Sequence, residues 1–161
     1  MSHEPTSVRL HIIETAHRII LGKGYAAVGL SEILSAASVP KGSFYHYFKS
    51  KDAFGVALLA HYFSNYLDNL DKLLGKDGTP AAERLMRYWQ RWLDQQTGNK
   101  GEATCLVSKL GGEVSDLSES MRLTLQQGTQ QVIGRLAACM MEAINDGSLR
   151  DIADPQGAAE T

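Results

Sequence analysis

The order of apolar and polar residues divides the first fifty residues into short amphipathic helices. Over residues 8–21, apolar side chains recur at helical spacing on one face, and Gly22 and Gly24 follow as stop signals. A second stretch has the i, i+3, i+4, i+7 spacing of an amphipathic helix, with Leu30, Ile33, Leu34 and Ala37. The pattern therefore predicts two helices before residue 40.

A third helix is predicted to begin near Lys41, directly after a three-residue connection at 38–40. Phe44 and Phe48 stand at i and i+4 and can bury together. The remaining hydrogen-bonding side chains then lie on the sides and outer face of the helix: Ser43, Tyr45, His46 and Tyr47. Two short helices joined by such a turn are typical of a helix-turn-helix, whose second helix enters the major groove of DNA.

The chemistry of this stretch suits DNA. A helix N-terminus with a basic residue attracts phosphate, hydroxyl groups donate to it, and Lys41, Lys49 and Lys51 add salt-dependent attraction. Pro40 favours a helix start, and Gly42 lets the backbone approach another surface closely. The alternative is a surface helix whose aromatic residues simply belong to the core.

The rest of the chain is also predicted to be helical. A long helix covers residues 52–74, and Thr79 is expected to cap a further helix that has Pro80 at its first position. An apolar segment at 105–114 is broken by glycines, and a last helix extends from residue 121 to residue 144. We therefore predict an all-α chain.

Aromatic residues on the long helix and on the helix after it recur at helical spacing. Such a stripe either belongs to the core or lines a ligand cavity. The candidate pocket residues are Tyr62, Tyr66, Tyr88, Trp89 and Trp92.

Charge is distributed unevenly along the chain. The 161 residues have a formal net charge of −2, but residues 1–51 contain six Lys and Arg against three acidic residues, whereas residues 52–161 contain ten against fifteen. The resulting charge of +3 on the first third supports a DNA-binding face there. Because no apolar run can span a bilayer and no signal peptide is apparent, we expect a cytoplasmic protein without membrane contact.

Other kinds of chemistry find no support in the spacing of residues. The five histidines have no metal-ligand spacing, and there is neither a glycine-rich phosphate loop nor a nucleophile motif. We therefore expect no enzyme activity, no catalytic residue, no metal site and no cofactor.

Motifs in the first sixty residues resemble the N-terminal domain of TetR-family transcriptional repressors. They are Gly24-Tyr25-Ala26-Ala27, Ile33 and the run VPKGSFYHYFKSKDAF that begins at Val39. The resemblance covers residues 8–59. It implies a three-helix helix-turn-helix DNA-binding domain at 1–51, followed by a helical regulatory domain for ligand binding and dimerisation at 52–161.

The resemblance also implies a homodimer that reads a palindromic operator in double-stranded DNA. The family positions that approach bases or phosphates match Lys41, Gly42, Ser43, Tyr45 and Tyr47. The position of Lys51 anchors a phosphate in the family, and His46 joins the candidate set from the outer face of the helix. This sequence departs from the family at Val28 and Gly29, where a threonine commonly caps the second helix, and at Pro40, where serine is frequent.

The C-terminal end differs from the usual family pattern. TetR-like chains usually carry two more helices there, which form most of the dimer interface. The sequence stops where those helices begin. We therefore expect the regulatory domain to lack its last helices by truncation or disorder; the alternative is a dimer that is built in another way.

Cys105 is the candidate sensor. It opens an apolar segment after a polar loop, where N–H groups at a helix start favour a thiolate, and Lys109 follows one helical turn later. The run GEATCLVSKLGGEVSDLSESMR is similar to its counterpart in the NemR-like subfamily, repressors of N-ethylmaleimide reductase, whose cysteine senses electrophiles and oxidants. The other interpretation is that Cys105 is a small buried hydrophobic residue, as we expect for Cys139.

Three functional interpretations follow. The leading one is a repressor that releases its operator when an electrophile or oxidant modifies Cys105. The same repressor can instead be induced by a reversible apolar small molecule in the candidate pocket. The third is a helical small-molecule binding protein that does not use its DNA module.

Overall fold

The computed structural model describes residues 5–97, 106–113, 116–149 and 160. Its helices are α1 (Pro5–Lys23), α2 (Leu30–Ala37), α3 (Lys41–Tyr47), α4 (Lys51–Leu74), α5 (Ala81–Thr97), α6 (Leu106–Gly111) and α7 (Glu119–Asn145). No strand occurs within these ranges, which confirms the predicted all-α fold. The chain divides into two compact units, the first from Met1–Tyr62 with Gly101–Leu125 and the second from Phe63–Lys100 with Gln126–Thr161.

The first unit has a core built from the predicted amphipathic helices. On α2 the residues that bury are Ile33, Leu34 and Ala37, three of the four positions that the apolar pattern marks. On α1 the buried side chains are Ile12, Ile13, Thr15, Ala16 and Ile20. Helix α2 packs against both α1 and α3, so each short helix is held by its neighbours.

The turn between α2 and α3 has a left-handed residue that is not glycine. Ser38 has φ 56°, and its N–H donates to the carbonyl of Ser35 at 3.2 Å. The N–H of Val39 donates to the carbonyl of Leu34 at 2.9 Å, which closes the end of α2. Pro40 then occupies the N-cap position in an extended conformation, so it precedes the first turn, and α3 begins at the next residue as predicted.

Helix α6 and the first turns of α7 complete the first unit. Leu106 and Leu110 of α6 are 1% and 0% exposed, and α6 packs against α1. Met121 of α7 is fully buried next to Gly55 of α4. A Cβ at Gly55 would stand 2.8 Å from the Met121 Cε atom, so glycine is what permits this close approach.

The second unit is built from the later part of α4, from α5 and from the later part of α7. Its buried core is formed by Leu67, Leu70, Leu74, Ala81, Leu85, Tyr88, Leu136, Ala137, Cys139, Met140 and Ala143. Arg84, 4% exposed, lies among them, and its guanidinium donates to the Leu74 carbonyl and to Glu142, the latter at 2.8 Å. One buried cation thereby connects the end of α4 to α7.

The N-terminus of α5 is held by residues that follow α7, which corrects the expected Thr79 cap. The Ala81 N–H donates to Asp146 at 2.9 Å, and the Ala82 N–H donates to the Ser148 hydroxyl at 3.1 Å. Thr79 instead donates its own N–H to Asp77 at 3.1 Å. The hydrogen bond from the Ala81 N–H also holds the pKa of Asp146 below its ordinary value.

The compact units differ from the predicted domains 1–51 and 52–161. The first unit includes the beginning of α4 up to Tyr62, because Phe54 and Leu58 are fully buried there. It also takes in α6 and the start of α7. The functional division into a DNA-binding and a regulatory domain stays a prediction. Within the described ranges, none of the helices is both long and apolar enough to cross a membrane.

Candidate nucleic-acid interface

The inner side of α3 rests on a cluster of aromatic rings. Phe44 and Phe48 are 0% and 3% exposed, and their ring centroids lie 5.6 and 5.0 Å from that of Phe54 on α4. The guanidinium of Arg9 on α1 lies 5.1 Å from the centre of the Phe48 ring. Because the cluster is held from α1 and α4 as well, it fixes which side of α3 faces outward.

The opposite side carries most of the residues predicted to contact DNA. We define the outer face of α3 as Lys41, Gly42, Ser43, Tyr45, His46 and Tyr47. Ser43 and Tyr47 are half-buried and the other four are exposed, with 58% of Tyr45 accessible. The face offers an ammonium, hydroxyls and an imidazole, which are groups that bind phosphate oxygens and base edges.

Lys51, the predicted phosphate anchor, is the first residue of α4 and is exposed. Its ammonium donates to the Val28 carbonyl at 3.4 Å and lies 5.2 Å from the centre of the Tyr25 ring. The side chain therefore has partners within the protein, which sequence reasoning did not foresee. Its role toward phosphate stays a prediction.

Two features of the helix starts bear on this surface. Ser50, which the sequence analysis missed, accepts the Ala53 N–H on its hydroxyl at 3.0 Å and so caps α4. A serine immediately before a helical run was the available signal. At α2 the N-cap is Gly29 and no side chain caps the helix, as expected from the missing threonine.

Three of the five candidate pocket residues lie together in the second unit. Tyr66, Tyr88 and Trp92 line a groove of about 90 Å³, in which the hydroxyls of the two tyrosines are 2.9 Å apart. Trp89 instead packs beside the groove, with its ring centroid 5.0 Å from that of Tyr88. Tyr62 belongs to the first unit, where its ring meets His17 edge-on at 5.7 Å.

Comparison with known proteins identifies the family. Residues 12–58 match the bacterial regulatory proteins of the tetR family, and residues 81–161 match the tetracyclin repressor-like C-terminal domain. The HTH-type transcriptional repressor NemR of Escherichia coli is 37% identical over 158 residues, which cover 98% of this chain and 79% of NemR. The chain belongs to the TetR family.

Further TetR relatives agree with this assignment. The HTH-type transcriptional repressor DhaR of a Mycobacterium species is 32% identical over 90% of this chain and 71% of DhaR. A crystal structure of the reduced form of E. coli NemR matches with a TM-score of 0.90 and 38% identity, over 95% of this chain and 79% of that one.

The predicted resemblance to TetR-family, NemR-like regulators is confirmed. The protein is a transcriptional repressor of the TetR type and not an enzyme. TetR regulators bind operator DNA and act as dimers.

The predicted sensing pair is only partly described. Cys105 lies outside the described residues, whereas Lys109 is half-buried on α6 of the first unit. Cys139 is 4% exposed in the core of the second unit, as predicted, and its thiol donates to the Ala81 carbonyl at 3.7 Å. Burial raises the pKa of the Cys139 thiol, which disfavours the reactive thiolate.

Proposed function

We propose that this TetR repressor reads a palindromic operator as a homodimer, with the outer face of α3 in the major groove. Lys51 contacts a phosphate beside it. An electrophile or oxidant that modifies Cys105 releases the DNA. Two recognition helices must lie about 34 Å apart to match one turn of duplex DNA. We call α1, α2 and α3 the head. A shift of the head by a few ångströms therefore removes most specific contacts.

The observation that carries the DNA-binding part is the orientation of α3. Phe44 and the adjacent Phe48 are buried, whereas Tyr45 is 58% exposed and its ring meets that of Phe44 edge-on at 5.3 Å. A tyrosine hydroxyl on an exposed helix face can contact phosphate oxygens of DNA. The neighbouring Lys41 and His46 are exposed as well and supply positive or donor groups.

Fluorescence anisotropy with the promoter DNA of the adjacent gene tests this proposal. Lys41→Ala should weaken binding to all sequences alike and lower the salt slope by about 1, because one phosphate contact is lost. Lys72→Ala, which removes an exposed lysine of the second unit, is the matched control and should change neither. Tyr45→Ala should weaken specific binding by about 1–3 kcal/mol, the range for a base contact. Specific binding by the wild type that neither Lys41→Ala nor Tyr45→Ala weakens would refute the assignment of the α3 outer face to DNA.

The trigger is supported by the position of α6. Leu106 follows Cys105 directly and is buried in the same unit as the DNA-binding helices. A modification of the residue bonded to Leu106 can therefore displace α6, which packs against α1. Lys109, on the same helix, supplies a positive charge that favours a thiolate nearby.

Alkylation with N-ethylmaleimide distinguishes the two thiols. Cys105→Ser should keep operator affinity and lose the release caused by N-ethylmaleimide or hypochlorite. Cys139→Ser is the matched control and should respond like the wild type, because burial raises the pKa of the Cys139 thiol and so disfavours the reactive thiolate. If the Cys105→Ser protein still releases DNA after alkylation, the covalent trigger is wrong.

A reversible ligand is the second candidate trigger, and the groove beside Tyr66 and Tyr88 is its site. The groove measures about 90 Å³, whereas pockets for drug-sized ligands hold roughly 300–1,000 Å³. Only a molecule of a few heavy atoms fits without rearrangement. The covalent trigger at Cys105 is therefore the function we favour.

A further inference from the structure

A carboxylate from the segment between α6 and α7 contacts the turn between α1 and α2. Glu113 accepts the backbone N–H of Tyr25 on Oε2 at 2.9 Å. Its Oε1 lies so close to Gly24 that a Cβ there would stand only 2.6 Å away. Gly24 has φ +88°, and its N–H closes the end of α1 on the Ile20 carbonyl at 2.7 Å. The turn therefore has both the conformation and the open space that this carboxylate requires.

Tyr25 connects this turn to the start of α4. Its side chain is buried, and its hydroxyl donates to the Lys51 carbonyl at 3.4 Å. The Lys51 ammonium lies over the Tyr25 ring and donates to the Val28 carbonyl. Burial, and then the nearby Asp52 carboxylate, raise the pKa of Tyr25 to about 12, so the hydroxyl keeps its proton and remains a donor.

Glu113 is itself fixed by α6. Its N–H donates to the Leu110 carbonyl at 3.0 Å, and the Leu110 side chain is fully buried. A displacement of α6 therefore moves the carboxylate. The contacts continue from Glu113 to Tyr25 and then to Lys51. Lys51 is the residue that we assign to phosphate binding.

We propose that Glu113 is a positioning residue, which holds the α1–α2 turn and the start of α4 in the arrangement that binds DNA and transmits movement of α6 to them. This proposal rests on the function proposed above. Glu113 itself does not touch DNA in this arrangement. Its loss acts through Tyr25, because the Tyr25 N–H is left without its carboxylate acceptor.

Operator affinity of the full-length chain tests the positioning role. Glu113→Ala should raise Kd roughly 10-fold or more, the effect of losing a hydrogen bond to a charged acceptor. Glu113→Gln should restore affinity to within about 3-fold of wild type, since the amide oxygen still accepts from the Tyr25 N–H. Asp116→Ala removes an exposed carboxylate from the same segment and should leave Kd unchanged. Equal Kd values for wild type and Glu113→Ala would overturn the positioning role.

The response to N-ethylmaleimide separates transmission from stability. In the wild type, Kd should rise at least about 10-fold after alkylation, whereas in Glu113→Ala the ratio of Kd after and before alkylation should approach 1. If Glu113 only stabilised the fold, Glu113→Ala would lower the melting temperature but leave this ratio at the wild-type value. That result would overturn the transmission role.

Amide hydrogen exchange of the free protein tests whether Glu113 is coupled to Lys51. This test does not require that the wild type binds the operator or responds to alkylation. Glu113→Ala should accelerate exchange at Tyr25 and also in the peptide that contains Lys51, while Asp116→Ala should not. Faster exchange at Lys51 in Glu113→Ala would support the coupling between Glu113 and Lys51 even if the proposed function had failed. Unchanged exchange there overturns it.

Discussion

Replacing Gly128 by alanine should destabilise the protein, whereas the same change at Gly134 should stabilise it. Gly128 is buried on α7, and an added Cβ would stand closer than 3.0 Å to carbons of the Phe63 ring, while ordinary contact begins at 3.4 Å. Gly134 is exposed on the same helix, with no heavy atom within 4 Å of the Cβ position. The two sites therefore differ in available space and not in secondary structure.

The expected free energies follow from two opposing effects. Both substitutions gain about 1 kcal/mol of helix propensity, because glycine is a poor helix former. At Gly128 the rigid ring of Phe63 must move, so overpacking costs about 3 kcal/mol, the upper part of the range for cores. We expect a net loss of about 2 kcal/mol for Gly128→Ala and a gain of up to about 1 kcal/mol for Gly134→Ala.

Urea unfolding followed by circular dichroism measures both variants at one protomer concentration. The difference between them, about 3 kcal/mol, is the steric cost alone, because the propensity gain is common to both. With an m-value of about 2 kcal/mol per molar, the midpoints should differ by about 1.5 M urea. Coincident midpoints, or a Gly128→Ala protein more stable than wild type, would refute the close packing of Phe63 against α7.

Two further predictions concern charged groups. Arg84→Met should cost about 1–3 kcal/mol in urea unfolding, because the buried Leu74 carbonyl loses its donor, whereas Arg135→Met, at an exposed ion pair, should cost less than about 1 kcal/mol. Equal losses would contradict the role of burial. Burial, and then the charge of His61, lower the pKa of His17 in the folded protein. The unfolded chain therefore takes up the proton first, and stability should fall as pH drops below about 6.5. Thermal melts at pH 5.5 and 7.5 should show a smaller loss for His17→Phe, and an unchanged loss would exclude His17 as a source.

The helices of the head were predictable because their signals are local. The apolar spacing on α2 identifies the residues that bury, and the pair Phe44 and Phe48 fixes the inner side of α3. Once these two are inside, the outward direction of Tyr45 follows from helical geometry. The outer face of α3 was accordingly readable from sequence, although its contacts with DNA stay a prediction.

Contacts between distant segments were not predictable in this way. Glu113 and Tyr25 are 88 positions apart, and Asp146 and Ala81 are 65 apart. The sequence around a carboxylate in a polar connection does not indicate its partner. The capping of α5 by residues after α7 and the contact of Glu113 with the α1–α2 turn were therefore not predicted. For Tyr62, helical spacing gives the face of α4 but not the neighbour, which is the ring of His17.

The missing cap on α2 affects how the head comes apart. Helix α2 has eight residues, well below the roughly 12–15 that an isolated helix needs in water, and Gly29 offers its first turn no side-chain oxygen. Its order comes from neighbouring helices, so it cannot outlast their separation. We therefore expect α2 to unfold together with α1 and α3, so that the recognition helix α3 loses its support in the same step.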